Sequence, residues 1–101
     1  MKKRVRFLPE AKAEFDEAAE WYESRRRGLG RNFISKVRGV IKRITTNPRL
    51  FGKVHGDIRQ TLIERFPYSV LYQEDKQEII VVAVFHSSRN PDVWKKRVRS
   101  R

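Results

Sequence analysis

The spacing of apolar positions changes twice along the chain. Arg4 to Leu8 sets Val5 and Phe7 against Arg4 and Arg6, the period of two of a half-buried strand. Pro9-Glu10 then opens a helix, because proline is tolerated in a first turn and an acid is favoured at the positive end of the helix dipole. Ala11, Phe15, Ala18, Ala19 and Tyr22 fall on one helical face, with Glu14, Glu17 and Glu20 on the other. Arg25 to Gly30 breaks this stripe, and a second one follows at Phe33, Val37, Val40, Ile41 and Ile44. Two helices joined by so short a segment are expected to form an antiparallel hairpin. Gly39 lies inside the second helix, where close approach of another backbone is one reason for a glycine. Asn47-Pro48 ends that helix, since the residue before a proline is pushed out of the α region.

Past a loop with Gly52 and Gly56 the period returns to two. Ile58 to Phe66 reads as a strand with Ile58, Leu62 and Phe66 on one face and Arg59, Thr61 and Arg65 on the other. Pro67 stops it, Tyr68 to Tyr72 forms the next strand, Gln73 to Gln77 the turn, and Ile79 to Phe85, apolar on both faces, a central strand. Asp92 to Arg97 is read as a short closing helix around Trp94. The predicted order β-α-α-β-β-β is an α+β fold, a helix hairpin packed on one face of a mostly antiparallel sheet. With 101 residues and no repeat or linker, a single domain over 1–101 is expected.

Composition narrows the function. The absence of cysteine removes disulfides and thiolate chemistry and suits a reducing cytoplasm. The apolar run Ile79 to Phe85 is far below the roughly twenty residues that span a bilayer, and the basic start Lys2 to Arg6 has no apolar stretch behind it. A cytoplasmic protein without a membrane partner is therefore expected. Lys and Arg number 24 against 12 acids, a net charge of +12. Residues 31–50 carry 6 bases and no acid and residues 91–101 carry 5 and 1, so these two segments supply 6 + 4 = 10 of those charges. Charge so concentrated attracts polyanions, whether nucleic acid or an acidic protein segment.

Candidate chemistry is scattered. His86 is a candidate general acid or base, with Glu64 as its carboxylate partner if their strands adjoin, although a histidine ending an apolar strand ordinarily makes a structural hydrogen bond. His55 stands alone in a glycine-flanked loop, so neither a metal nor another cofactor is assigned. Arg59 and Arg65 share a strand face that, joined by Arg89, would bind anions. Trp94, Tyr68 and Tyr72 are more often packing aromatics than base-stacking platforms. Trp21 lies off the first helical stripe beside Tyr22, as a surface anchor for a partner does.

The order of these pieces resembles the RelE/ParE superfamily of type II toxin-antitoxin toxins, in its ParE-like branch often labelled plasmid stabilisation proteins. The features that carry the resemblance are the stripe from Ala11 to Tyr22, the helix end Ile44 to Pro48, the strand from Arg59 to Arg65 leading into Phe66 to Tyr72, and the close Val84 to Pro91 with Trp94 and Arg97 beyond. The resemblance implies a toxin silenced by an acidic antitoxin, with Trp21, Tyr22, Phe33 and Val37 as the expected antitoxin surface and Arg59, Arg65, Arg89, Trp94 and Arg97 as the expected target surface. ParE-like toxins poison DNA gyrase by binding, whereas RelE-like toxins cut mRNA in the ribosome. In the cutting branch an arginine follows the third-strand tyrosine, where this chain has Ser69, and a later tyrosine is replaced by Trp94 at best. Arg89 matches the arginine after the last strand. The expectation is thus a gyrase inhibitor that breaks no bond; the alternative is a ribosome-dependent endoribonuclease using His86, Arg89 and Glu64.

Overall fold

The computed structural model describes residues 3–98, so Lys2 of the basic start and Arg99 and Arg101 of the basic end lie outside it. The elements are β1 (Arg4–Phe7), α1 (Pro9–Arg25), α2 (Leu29–Thr46), β2 (Lys53–His55), β3 (Ile58–Leu62), β4 (Tyr68–Glu74), β5 (Glu78–His86) and α3 (Asp92–Lys95). The five strands form one sheet in the order β1-β5-β4-β3-β2, antiparallel except for the parallel pair β1 and β5. The α+β fold and helix hairpin read from the sequence are observed, with the short strand β2 added where a loop is expected.

The two helices lie on one face of the sheet. Phe33, Val37, Val40 and Ile44 of α2 and Ala11, Ala18 and Ala19 of α1 close over Val70, Tyr72, Ile79, Val81 and Val84. A second, smaller core on the far face gathers Ile58, Leu71, Val82, Ala83 and Phe85 around Trp94 of α3. This is why β5 is apolar on both faces. Leu71 pairs with Ala83 and Tyr72 with Val81, leaving Val82 as a bulge. Beyond the bulge the alternation resets, so that Val84 turns to the helices.

The expected strand Ile58–Phe66 needs correction. It ends at Leu62, and Arg65 follows in a turn with φ of 70°. Leu62, expected on the core face, is 72% exposed, because β2 pairs only with Ile58 and Arg59 and leaves Leu62 on a free edge. The polar face of the expected strand is the one directed at the helices: Arg59 and Thr61 pair with Tyr72 and Val70 of the main core.

The hairpin is joined by one carboxylate. Glu23, near the end of α1, accepts the N–H of Gly28 at 2.9 Å and of Gly30 at 3.0 Å, satisfying donors that the start of α2 leaves free. The Gly28 N–H, helped by Gly30 and Arg31, holds the Glu23 carboxyl below the usual range. A depressed carboxyl contributes stability above its unfolded value and loses it as pH falls through the folded value. The urea midpoint should therefore drop between pH 6 and pH 3, and drop less in Glu23→Gln; equal drops would remove Glu23 from the acid response.

Close approach does occur in the hairpin, at Gly30 rather than Gly39. A Cβ on Gly30 would stand 2.4 Å from the Ala19 carbonyl oxygen, whereas one on Gly39 would meet nothing within 4 Å. Gly39→Ala should therefore raise stability by up to about 1 kcal/mol, read as a higher urea midpoint. A lower midpoint would mean that the glycine has a role on α2 that its open surroundings do not show.

Candidate functional site

Where β1 stops at Phe7, the neighbouring β5 runs on without a strand partner on that side. Helix α1 takes over. Its Glu14 reaches down so that one carboxylate oxygen accepts the Val84 N–H at 3.1 Å and an Arg97 N–H at 2.9 Å. The other oxygen accepts Arg97 Nη2 at 2.7 Å and Arg89 Nη1 at 2.9 Å. Arg97 also donates to the Val82 carbonyl at 3.2 Å, so the exposed edge of β5 is closed by side chains. The Glu14 contact, partly opposed by burial, raises the pKa of Arg97 further.

Beside this clamp lies a hollow of about 490 Å³ between α1 and the ends of β4 and β5. Ala18, Trp21 and Tyr22 form one wall; Tyr68, Val84 and His86 form the other. Tyr68 and His86 pair across the strands with their rings edge to face, centroids 5.1 Å apart. Burial raises the hydroxyl pKa of both Tyr22 and Tyr68. Trp21 stands 52% exposed at the rim with the Arg25 guanidinium 4.5 Å over its ring.

The hollow carries an imidazole and a guanidinium, yet its charges are arranged against a phosphate. Glu14 and Glu17 both border it, and Arg89, the arginine at its rim, is bonded to Glu14. His86 Nδ1 accepts the Ser88 N–H at 3.0 Å and lies 2.8 Å from the Ser88 hydroxyl, which places the proton of the neutral ring on Nε2. Cleavage of RNA would require cations free to hold the developing phosphorane charge. The hollow offers an apolar floor, two acids and an exposed indole.

The other candidate residues lie apart. Glu64 is two strands away from His86, since β4 separates β3 from β5, and it binds Lys36 at 2.7 Å, the contact that lowers its pKa. Arg59 is half-buried and donates to the Phe51 carbonyl at 2.7 Å, so Arg59, Arg65 and Arg89 do not make one cationic face. Trp94 is 5% exposed in the far core, and the Arg97 side chain is 10% exposed in the Glu14 clamp. Arg65 and Arg89 remain exposed. Of the four residues expected to meet an antitoxin, Trp21 and Tyr22 border the hollow, whereas Phe33 and Val37 are fully buried and hold the hairpin to the sheet. Glu14, placed by the sequence on the face away from the apolar stripe and given no role there, is the residue that the sequence reading missed; its partners Val84, Arg89 and Arg97 lie 70 to 83 positions away.

Among the described residues no three of His, Cys, Asp and Glu group as a metal would need, and no helix is long and apolar enough to cross a membrane. No curated protein matches the chain. Ten solved chains are similar to it. One belongs to the chromosomal ParDE TA system from P. aeruginosa, with a TM-score of 0.60 and 13% identity over 84% of this chain and 96% of that one. At that identity the likeness is one of fold. The model of the ParE toxin of the type II toxin-antitoxin system, parDE, matches residues 5–91, and the chain belongs to that toxin family.

Proposed function

We propose that this toxin acts in the cytoplasm by binding DNA gyrase and holding it on cleaved DNA, with no bond made or broken by its own residues. The observation that carries this reading is the Glu14 clamp, which pairs both Arg89 and Arg97 with one carboxylate, so that among the described residues lining the hollow no Lys or Arg stands without an acid beside it. Family membership supports the toxin role, and gyrase is the target that the ParE-like resemblance implies. Arg65, which is exposed, and Arg89, whose side chain stays 44% exposed beside its Glu14 contact, are the target-facing residues in this reading. The test adds purified protein to gyrase, ATP and relaxed plasmid. Supercoiling should fall and linear DNA accumulate; full supercoiling by preparations that arrest growth would exclude gyrase.

A cognate antitoxin is the second part of the proposal. Its acidic segment is drawn by the net charge of +12, and an apolar side chain of that segment enters the hollow against Trp21 and Tyr22. Trp21→Ala should weaken antitoxin binding by at least about tenfold, the effect of truncating an aromatic anchor, while the melting temperature falls by no more than about 4 °C, because the residue is 52% exposed and loses only its contacts with Tyr22 and Arg25. Titration calorimetry with unchanged affinity would take Trp21 out of the interface.

A further inference from the structure

From Ser24 to Gly56 the chain has ten bases and no acid. Lys36, Arg49 and Lys53 are paired with Glu64, Glu74 and Asp57, and Arg25 and Arg43 lie over the rings of Trp21 and Phe51. The remaining five, Arg26, Arg27, Arg31, Arg38 and Lys42, are exposed and have no ion-pair partner among the described residues. The Glu23 carboxylate is close enough to feel the Arg31 charge but makes no ion pair with it, its oxygens accepting the N–H groups of Gly28 and Gly30.

Helical geometry aligns three of them. At about 100° per residue, Arg31, Arg38 and Lys42 fall within roughly 40° of one another, opposite the buried Phe33, Val37 and Ile44, and span about 17 Å along the axis. Ser35 and Gly39 lie next to this line, and Gly39 has open space around it, so no bulky side chain stands between the cations and an approaching backbone.

We propose that this outer face of α2 is a binding ridge for the phosphate backbone of duplex DNA, engaged without sequence preference. Three features choose that occupant. Unpaired cations on a convex helix match a regular array of phosphates in charge and spacing. A protein partner would need apolar anchors beside the charge, and the exposed large apolar residues, Trp21, Leu50, Val54, Leu62 and Val93, all lie outside α2. Single-stranded nucleic acid is held by stacking on exposed aromatic rings, and α2's one aromatic, Phe33, is fully buried. The ridge needs neither gyrase nor the hollow beside α1, so it stands or falls separately from the target reading.

The test measures binding of the full chain to two unrelated 30-base-pair duplexes between 50 and 200 mM salt. The triple variant Arg31→Gln, Arg38→Gln, Lys42→Gln is set against a charge-matched control, Arg4→Gln, Lys76→Gln, Lys96→Gln. Three lost phosphate contacts should make the slope of log affinity against log salt shallower by about 2.7, which corresponds to about 40-fold over that salt range. Affinity at 50 mM salt should fall at least about tenfold for both duplexes, with the control near wild type. Equal weakening by the control would reduce the effect to net charge. Tighter binding of single strands than of duplex, or displacement of the duplex by polyglutamate at equal charge, would assign the ridge to another partner. Thermal melts of both variants within about 2 °C of wild type exclude misfolding, since every replaced side chain is exposed.

Discussion

Glu14→Ala should destabilise the protein by about 3 kcal/mol or more, the usual cost of leaving a buried charge without its partner. The Arg97 and Glu14 side chains are 10% and 13% exposed, so solvent does little to replace the lost carboxylate, and the Val84 N–H loses its acceptor as well. For a domain of this size the melting temperature should drop by roughly 12 to 24 °C. Glu14→Gln keeps an acceptor for Val84 but not the charge and should fall between. The double variant Glu14→Ala, Arg97→Met should recover part of the loss, because no buried charge is then left unpaired. A single variant that melts within about 2 °C of wild type would mean that the clamp contributes nothing to the fold.

The second large effect is expected at Phe33. Its ring is fully buried, 5.2 Å from that of Phe66, 5.1 Å from Tyr68 and 5.4 Å from Tyr22. Phe33→Ala should cost about 3 to 5 kcal/mol through lost burial and the cavity left behind. At the low end of usual domain stabilities, about 5 kcal/mol, that is enough to unfold a sizeable share of the protein at 37 °C. Antitoxin binding should then fall only in proportion to the folded fraction measured by circular dichroism. Binding lost beyond that fraction would place Phe33 in the interface after all. The contrast with Trp21, exposed at the rim, separates a core aromatic from a surface one on the same hairpin.

Helices and strands were legible because their signals are local. The two helical stripes predict α1 and α2 closely, and the apolar run of β5 predicts a strand covered on both faces. Strand β3 misled because its alternation is genuine but inverted: Arg59 and Thr61 turn toward the helices, where Arg59 finds the Phe51 carbonyl. Period-two patterning tells which residues share a face, and here the polar set faces the larger core. Glu14 was out of reach for a different reason. At i+3 from Ala11 and i−4 from Ala18 it borders the apolar stripe, but what turns it inward is a pair of arginines 75 and 83 positions away and a strand edge left open where β1 ends. Such a role depends on topology, which no local spacing records. Phe33 and Val37 show the converse, since one apolar stripe can serve a partner or the protein's own sheet, and here the sheet takes them.

The most direct measurement follows an end-labelled mRNA on translating ribosomes in the presence of the purified toxin without its antitoxin. The expected result is an intact transcript at toxin levels that block gyrase, because the arginines near His86 are committed to Glu14. Discrete cuts in the ribosomal A site that disappear in His86→Ala would contradict it and make this chain a nuclease.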